Sequence, residues 1–177
     1  MSNQLTDEEI AVYLLKTGED KYFTELVDRY KDKIFNFTVR YLSSREDSED
    51  ITEDIFVKVY FKIDKFDQNK GSFKTWLYRI ARNTIYNKLK EKKITKISYV
   101  DIYTNELDEN INIENDEIVQ SAINKLKKEQ KTIILLYYIE GLKYREIAEI
   151  LNIPENTVKT KIRRAKEILK NELSKYF

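Results

Sequence analysis

The spacing of apolar residues along the chain gives the first indication of its fold. They recur at intervals of three and four positions, which is the spacing of one face of an α-helix. Neither the strict alternation of a strand nor an internal repeat is evident, so the pattern predicts an all-α protein. Helices are expected over residues 7–16, 20–41, 45–61, 73–92, 118–127, 129–140 and 144–151, and from residue 156 onward.

Two groups of helices are separated by residues 94–115, where the helical spacing is lost. This segment is rich in Asn, Asp and Glu, and no basic residue occurs between Ile97 and Asn124. Such a composition is typical of a flexible acidic linker, and its length argues against a surface loop within one domain. We therefore expect two small helical domains, residues 1–93 and 116–177, joined by this linker.

The amino-acid composition excludes several functions. The 177 residues include neither cysteine nor histidine, which removes thiolate metal sites, a cysteine nucleophile and the commonest general base. No acidic motif has the form of a carboxylate site for Mg²⁺, so we expect no catalytic residue, no metal, no cofactor and no enzymatic activity. No apolar run approaches the length that crosses a bilayer, and the acidic start is not a signal peptide. We expect a cytoplasmic protein without membrane insertion.

The net charge of +1 conceals blocks of opposite sign along the chain. Six acidic residues and one basic residue lie between Arg45 and Phe56, whereas five lysines and one glutamate lie between Thr84 and Lys96. Blocks of this kind predict several contact surfaces on one molecule, either for polyanions or for other proteins.

The acidic block falls on one face of the helix predicted over residues 45–61, opposite Ile51, Ile55 and Val59. Acids near a helix N-terminus favour its dipole, so a solvated face is the simplest interpretation. The functional alternative is a docking face for a basic protein surface, since DNA would be repelled. A metal site is less favoured, because nothing makes the carboxylates converge. The acidic side chains of this face are Glu46, Asp47, Asp50, Glu53 and Asp54.

On the helix predicted over residues 73–92, basic and amide side chains form one stripe opposite the apolar side. A charged stripe is typical of a solvated face, but it can also neutralise the phosphates of a nucleic acid. Aromatic residues lie among the basic ones, and exposed aromatic rings can stack unpaired bases. Trp76 lies at the apolar boundary, where a tryptophan is more often a core residue. The residues in question are Arg79, Arg82, Asn83, Tyr86, Lys90 and Lys93, with Trp76 and Tyr78 beside them.

Residues 144–151, a short turn containing Pro154 and the helix from Asn156 have the lengths of a helix-turn-helix. The second helix carries a basic stripe, with two threonines near its N-terminal end, which is the end that meets base edges in this motif. An ordinary helical hairpin with a charged outer face is the alternative. The polar residues concerned are Thr157, Lys159, Thr160, Arg163, Lys166 and Lys170.

The acidic helix, the basic helix with its aromatic residues and the helix-turn-helix follow one another along the chain. In this order they resemble the extracytoplasmic-function (ECF) sigma factors over nearly the whole chain. Residues 47–60, DSEDITEDIFVKVY, look like the segment of that family that grips the clamp helices of the polymerase β′ subunit. Residues 71–83, GSFKTWLYRIARN, are similar to the motif that leads into the part that opens and reads the −10 element. The segments GLKYREIAEIL and NTVKTKIRRAK, residues 141–151 and 156–166, look like region four, which reads the −35 element.

The resemblance implies roles for individual residues. In this family the position of Asn83 helps to hold a flipped-out base, and the loop at residues 66–72 forms the rim of the pocket. The implied polymerase contacts are Asp47, Asp50, Glu53 and Asp54. The implied −10 contacts are Trp76, Tyr78, Arg79, Arg82, Asn83 and Lys90. The implied −35 contacts are Tyr144, Arg145, Thr157, Lys159, Thr160, Arg163, Arg164 and Lys166.

The partners that the resemblance implies are promoter DNA, an anti-sigma factor, and core RNA polymerase through its β′ clamp helices and β flap. The acidic linker is expected to thread the positive RNA-exit path of the polymerase. Glu53 stands where the family usually has glutamine, and Arg145 occupies a position that is often acidic. These departures bear on contact strength and promoter preference.

Two other functions remain open from the residues alone. A stand-alone helix-turn-helix regulator would bind duplex DNA without polymerase, but it leaves the acidic helix and the Trp76 motif unexplained. A protein-only module that sequesters a partner is expected to lose its DNA-facing charges, yet the basic stripes on both predicted DNA-facing helices are intact.

Overall fold

The computed structural model describes residues 5–42, 44–91 and 113–176. Within these ranges the fold is all-α, as the sequence predicts, and no β-strand is present. Every helix described there is too short or too polar to cross a lipid bilayer. The helices are α1 (Asp7–Thr17), α2 (Asp20–Val39), α3 (Arg45–Lys62), α4 (Phe73–Glu91), α5 (Ile113–Asn124), α6 (Lys128–Ile134), α7 (Tyr144–Leu151) and α8 (Glu155–Leu173).

The chain divides into two compact units, Met1–Thr95 and Lys96–Phe177. The linker expected over residues 94–115 falls mostly outside the described residues. Its last part, residues 113–115, is helical, because α5 begins at Ile113.

Local signals in the sequence set the ends of the first helices. The N–H of Glu9 donates to Thr6 Oγ1 at 3.2 Å, and the Glu9 carboxylate accepts from the Thr6 N–H at 2.8 Å, which forms a capping box at the start of α1. Gly18 ends α1 with φ 66°, a left-handed conformation that favours glycine. The Ser44 hydroxyl accepts from the Asp47 N–H at 3.2 Å and caps α3.

The apolar faces of α1 to α4 form the core of the N-terminal unit. Ile34 on α2, Ile55 on α3 and Leu77 on α4 are all fully buried. Burying one such side chain stabilises a fold by roughly 1.5–3 kcal/mol. Helix α4 packs against α1, α2 and α3, so a wide arc of its surface is covered.

The loop that precedes α4, residues 66–72, is fixed at both ends by aromatic packing. The rings of Phe66 and Phe73 lie 5.6 Å apart, and Trp76 lies 5.6 Å from Phe66 and 5.8 Å from Phe73. Both phenylalanines and Trp76 are buried, whereas residues 68–70 are exposed. The tip of the loop therefore projects from an anchored base.

In the C-terminal unit, the α-helix expected over residues 129–140 is not continuous. Helix α6 ends at Ile134, and Leu135–Ile139 form a π-helical turn in which the Glu140 N–H donates to the Leu135 carbonyl at 3.1 Å. Gly141, at φ 65°, reverses the chain after this turn. Tyr138 and Ile139, at the end of the π-helical turn, are 53% and 50% exposed.

Helices α7 and α8 form the helix-turn-helix that the sequence predicts. Asn152 takes a left-handed conformation at φ 53° and ends α7, and Pro154 precedes the first turn of α8. The apolar side chains that hold the two helices together are buried. They are Ile147, Ala148, Leu151, Val158, Ile162 and Ala165.

Candidate polymerase and nucleic-acid interfaces

The acidic side chains of α3 lie on its solvent-facing side. Asp50, Glu53 and Asp54 are exposed, and none of them forms an ion pair with another described residue. Asp47 is half-buried near the N-terminus of the helix, where a negative charge interacts favourably with the dipole. Because Ile51 and Ile55 are buried on the opposite side, the acids cannot turn inward.

Two apolar residues extend the acidic stripe toward the C-terminal end of α3. Val57 is 52% exposed and Phe61 is 76% exposed. At 100° per residue they share a stripe with Asp50 and Asp54. This surface combines negative charge with exposed apolar area, as protein-binding surfaces do. We call it the α3 face, and its residues are Asp47, Asp50, Glu53, Asp54, Val57 and Phe61. Val57 and Phe61 were not predicted, although apolar residues on a polar helix face are visible in the sequence.

On α4, an arginine and an asparagine are joined by a hydrogen bond. Arg82 Nη1 donates to Asn83 Oδ1 at 2.9 Å, and the Arg82 guanidinium lies 4.4 Å from the centre of the Tyr86 ring. The buried Nε of Arg82 has no hydrogen-bond partner within the described part of the chain. With its oxygen engaged, the exposed Asn83 amide offers N–H donors to a ligand. Arg79 and Lys90 are also exposed on this helix.

Two of the aromatic residues named for α4 are core residues. Tyr78 is fully buried, with its ring edge-on to Phe37 at 5.2 Å, and Trp76 is only 8% exposed. Neither ring is therefore open to stack a base, which agrees with the core position favoured for Trp76 and contradicts the exposure expected of Tyr78. The physical reason is that α4 contacts three other helices, so its buried arc is wider than its stripe of aliphatic residues.

Several charged residues of the helix-turn-helix are already paired along their own helices. Lys159 contacts Glu155 at 2.9 Å and Arg163 contacts Glu167 at 3.3 Å, each one helical turn away. On α7, Arg145 contacts Glu149 at 3.3 Å. Exposed pairs of this type contribute about 0.3–0.5 kcal/mol, so they separate readily when a phosphate competes.

The threonines near the start of α8 differ in exposure. Thr160 is exposed, and its hydroxyl donates to the Asn156 carbonyl at 2.9 Å, whereas Thr157 is half-buried. Arg164 is exposed, and no carboxylate among the described residues pairs with it. The first half of α8 therefore presents hydroxyl and guanidinium groups on its outer surface.

Lys166 differs from the other cations of α8, because its neighbours are tyrosines. Its ammonium lies 5.3 Å from the centre of the Tyr138 ring and 6.0 Å from that of Tyr137. A hydrogen bond with the Tyr138 side chain raises the pKa of Lys166, and a hydrogen bond with Tyr137 raises the pKa of Tyr144. No carboxylate in the described ranges pairs with Lys166, so its charge is not neutralised. Sequence reasoning missed Tyr137 and Tyr138, because a continuous α-helix directs them elsewhere.

Comparison with known proteins agrees with this division into two units. Residues 26–94 match the family model of Sigma-70 region 2, and residues 116–169 match that of Sigma-70, region 4. The ECF RNA polymerase sigma factor SigW of Bacillus subtilis is 37% identical over 90% of this chain and 92% of its own length. The ECF RNA polymerase sigma-E factor of Escherichia coli (strain K12) is 36% identical, over 98% of this chain and 97% of its own.

Among solved structures, the fold is similar to that of CnrH, determined in complex with the cytosolic domain of CnrY. The TM-score is 0.73 at 23% sequence identity, over 97% of this chain and 99% of CnrH. The sigma factor RpoE of Bartonella quintana, in complex with the anti-sigma factor NepR, gives a TM-score of 0.70 at 22% identity, covering 87% of this chain and 98% of RpoE.

Two helical units that match regions 2 and 4 define a sigma-70-type factor of transcription initiation. Within that class, the chain belongs to the ECF RNA polymerase sigma factors, which match it over nearly its whole length. It is therefore an alternative sigma factor, which binds core RNA polymerase and directs it to particular promoters. The family expected from the sequence is confirmed, whereas a stand-alone regulator does not account for the region 2 match.

Proposed function

We propose that the N-terminal unit docks on core polymerase through the α3 face and captures the melted −10 strand along α4. The C-terminal unit places α8 in the major groove of the −35 element. The observation that carries the proposal is the separation of charge among these helices. Exposed acids that have no ion-pair partner among the described residues lie together on α3, whereas exposed basic residues without such a partner lie on α4 and α8. The acids are Asp50, Glu53 and Asp54, and the basic residues are Arg79, Lys90, Arg164 and Lys166.

The α3 face suits a polymerase surface that is basic and partly apolar, for which we propose the β′ clamp helices. Asp47, Asp50, Glu53 and Asp54 supply charge that steers the encounter, and they would repel DNA. Val57 and Phe61 supply apolar area that leaves water on docking. For the C-terminal unit we propose the β flap as the polymerase contact.

At the −10 element, we propose that the Asn83 amide holds a base that has left the stack. Unstacking costs a few kcal/mol, which hydrogen bonds to the displaced base offset. Arg82 fixes the Asn83 oxygen, while Arg79 and Lys90 are free to contact phosphates. Trp76 and Tyr78 support the site from beneath, since both are buried.

At the −35 element, we propose that the exposed arginines of α8 contact base edges. An arginine donates two parallel hydrogen bonds to guanine, whereas lysine and tyrosine contacts are more often with phosphate. Two weak DNA-binding units held on one polymerase gain from effective concentration, so both elements and their spacing matter. The residues proposed to lie in the major groove are Thr157, Lys159, Thr160, Arg163 and Arg164, and the proposed backbone contacts are Tyr144, Arg145 and Lys166.

We also propose that the protein acts in the cytoplasm, has no catalytic activity of its own, and is held inactive by an anti-sigma factor. The structures of CnrH with CnrY and of RpoE with NepR support the last point by analogy.

Footprinting on the DNA upstream of the protein's own coding sequence tests the proposal. With core polymerase and the protein together, we expect protection at both promoter elements and reactive, unpaired bases at the −10 element. The protein alone is expected to protect neither. Equal protection without polymerase would contradict the proposal.

A further inference from the structure

We infer that Glu8, on α1, is a positioning residue for the −10 site, because its carboxylate holds the first N–H of α4. The inference rests on the proposed role of α4 and the loop at residues 66–72. It assigns to the N-terminal helix a part in strand capture, although that helix bears none of the proposed DNA contacts.

The central contact joins residues that lie far apart in the sequence. The Phe73 N–H, at the first position of α4, donates to Glu8 Oε1 at 2.8 Å. The first turn of α4 contains no acidic residue of its own. A carboxylate at a helix N-terminus satisfies a free N–H and interacts favourably with the helix dipole, so Glu8 supplies from α1 what α4 lacks.

The residue before Glu8 holds α1 to α2. Arg29 Nη1 donates to Asp7 Oδ1 at 2.7 Å, and the Tyr30 hydroxyl donates to the other oxygen of the same carboxylate. The Tyr30 ring is edge-on to Phe73 at 5.8 Å. Asp7, Tyr30, Phe73 and Glu8 therefore form a closed set of contacts, which ties the first turn of α1 to both α2 and the start of α4.

This set of contacts reaches the loop at residues 66–72 through Phe73. The Phe73 ring packs on Phe66, which begins the loop, and on Trp76, which lies one turn into α4. Ser72, the last residue of the loop, accepts the Thr75 N–H at 3.1 Å. The Glu8 carboxylate thus fixes the point where the loop enters the helix.

Removing the Glu8 oxygen leaves a partly buried N–H without its partner, and it frees the start of α4 and the loop to move. If Glu8 positions α4, its removal therefore weakens strand binding. If Glu8 acts only through its charge, its removal strengthens strand binding, because deleting an acid from a DNA-binding unit increases its attraction for phosphates. The two explanations therefore predict changes of opposite sign in strand affinity.

The test measures how tightly the protein, bound to core polymerase, holds a labelled single-stranded oligonucleotide carrying the −10 sequence. We expect Glu8→Ala to weaken strand binding by up to about fivefold, which is the factor reached when the whole stabilisation of a typical helix cap is lost from the strand-bound state. Glu8→Gln removes the charge but keeps an oxygen acceptor, and we expect it to bind within about twofold of the wild type. Asp28→Ala is the control, since Asp28 is 63% exposed on α2 and its deletion removes the same charge.

Strand binding by Glu8→Ala that equals or exceeds that of the wild type would overturn the inference. The inference would also be overturned if Glu8→Ala lost as much affinity for core polymerase as for the strand, because that result indicates general destabilisation of the N-terminal unit. Asn83→Ala separates the inference from the proposed function. If Asn83→Ala weakens strand binding and Glu8→Ala does not, only the positioning role fails. If Asn83→Ala has no effect either, the −10 assignment fails and the positioning role fails with it.

Discussion

At the scale of single residues, the cations of α8 differ in how far their charge is already neutralised. Lys159 and Arg163 each have a glutamate one turn away, whereas Lys166 is surrounded by tyrosines. A hydrogen bond with Tyr138 raises the pKa of Lys166. Within α8, Lys166 is therefore well suited to replace a counterion of the DNA backbone.

We expect Lys166→Gln to weaken binding of the holoenzyme to −35 duplex DNA by a similar factor for every sequence variant of the element. The dependence of log K on log salt should become shallower by about 0.9, because one phosphate contact is lost. Lys175→Gln is the control, since Lys175 pairs with Glu172 at 2.8 Å near the end of the chain. An unchanged salt dependence, or an effect confined to one base pair, would argue against a phosphate contact.

Lys131 is a second residue whose environment has a measurable consequence. It is 2% exposed in α6, and burial lowers its pKa to about 8. Its ammonium donates to Asn124 Oδ1 at 3.2 Å. The pKa of Lys131 is about 8 in the folded state and about 10.4 in the unfolded state, so the unfolded chain binds this proton more tightly. The free energy of unfolding therefore rises as the pH increases from about 8 to about 10.4.

Urea unfolding of the wild type and of Lys131→Met over this pH range measures the effect. The difference in unfolding free energy should shift in favour of the wild type with rising pH, by up to about 3 kcal/mol. Comparison with the variant cancels the titration of the other lysines and the tyrosines. A difference that does not change with pH would show that the Lys131 pKa is the same in both states.

At the scale of secondary-structure elements, α3 has a buried face and an exposed face, and substitutions on them are expected to affect different properties. Ile55 is fully buried, whereas Phe61 is 76% exposed, although both are large apolar residues of one helix. The buried side contributes to stability, and the exposed side is available to a partner.

We expect Ile55→Ala to lower the unfolding free energy by about 2–5 kcal/mol, as truncations in a core do. Phe61→Ala should change it by less than about 0.5 kcal/mol. The same Phe61 variant should bind core polymerase about tenfold more weakly, because a buried aromatic anchor is lost from the interface. Thermal unfolding and a core-binding titration measure the two quantities. If Phe61→Ala bound core polymerase as tightly as the wild type, Phe61 would not be a polymerase contact.

How far the sequence predicts the fold depends on whether the relevant signal is local. The start of α1, the end of α1 at Gly18 and the turn at Asn152 follow from capping and turn residues, and the helix ends agree to within a few residues. The π-helical turn at Leu135–Ile139 was not predicted, because the apolar spacing of an α-helix continues through it.

The candidate site shows the same limit. The charge pattern identifies Arg79, Asn83 and Arg163 as exposed polar residues, since nothing beyond helical spacing is needed. It does not show that Tyr78 is buried, because its burial depends on α2, which is distant in the sequence. The contact between Glu8 and Phe73 spans 65 positions, and no local pattern indicates it.

At the scale of the whole molecule, two units with different surface chemistry belong to one chain. The N-terminal unit carries both the acidic α3 face and the polar groups of α4, while the C-terminal unit carries the basic surface of α8. The proposed account needs both units, because it places polymerase docking and the −10 contacts on the N-terminal unit and the −35 contacts on the C-terminal unit. The central claim is that transcription from a promoter depends on both units together.

Transcription in vitro, with bacterial core polymerase and the DNA upstream of the protein's own coding sequence, tests that claim most directly. We predict specific transcripts that vanish with Asn83→Ala and weaken with Arg163→Ala, while both variants bind core polymerase as tightly as the wild type. Transcripts that are insensitive to both substitutions would contradict the assignment of α4 and α8. A protein that fails to bind core polymerase would contradict the account as a whole.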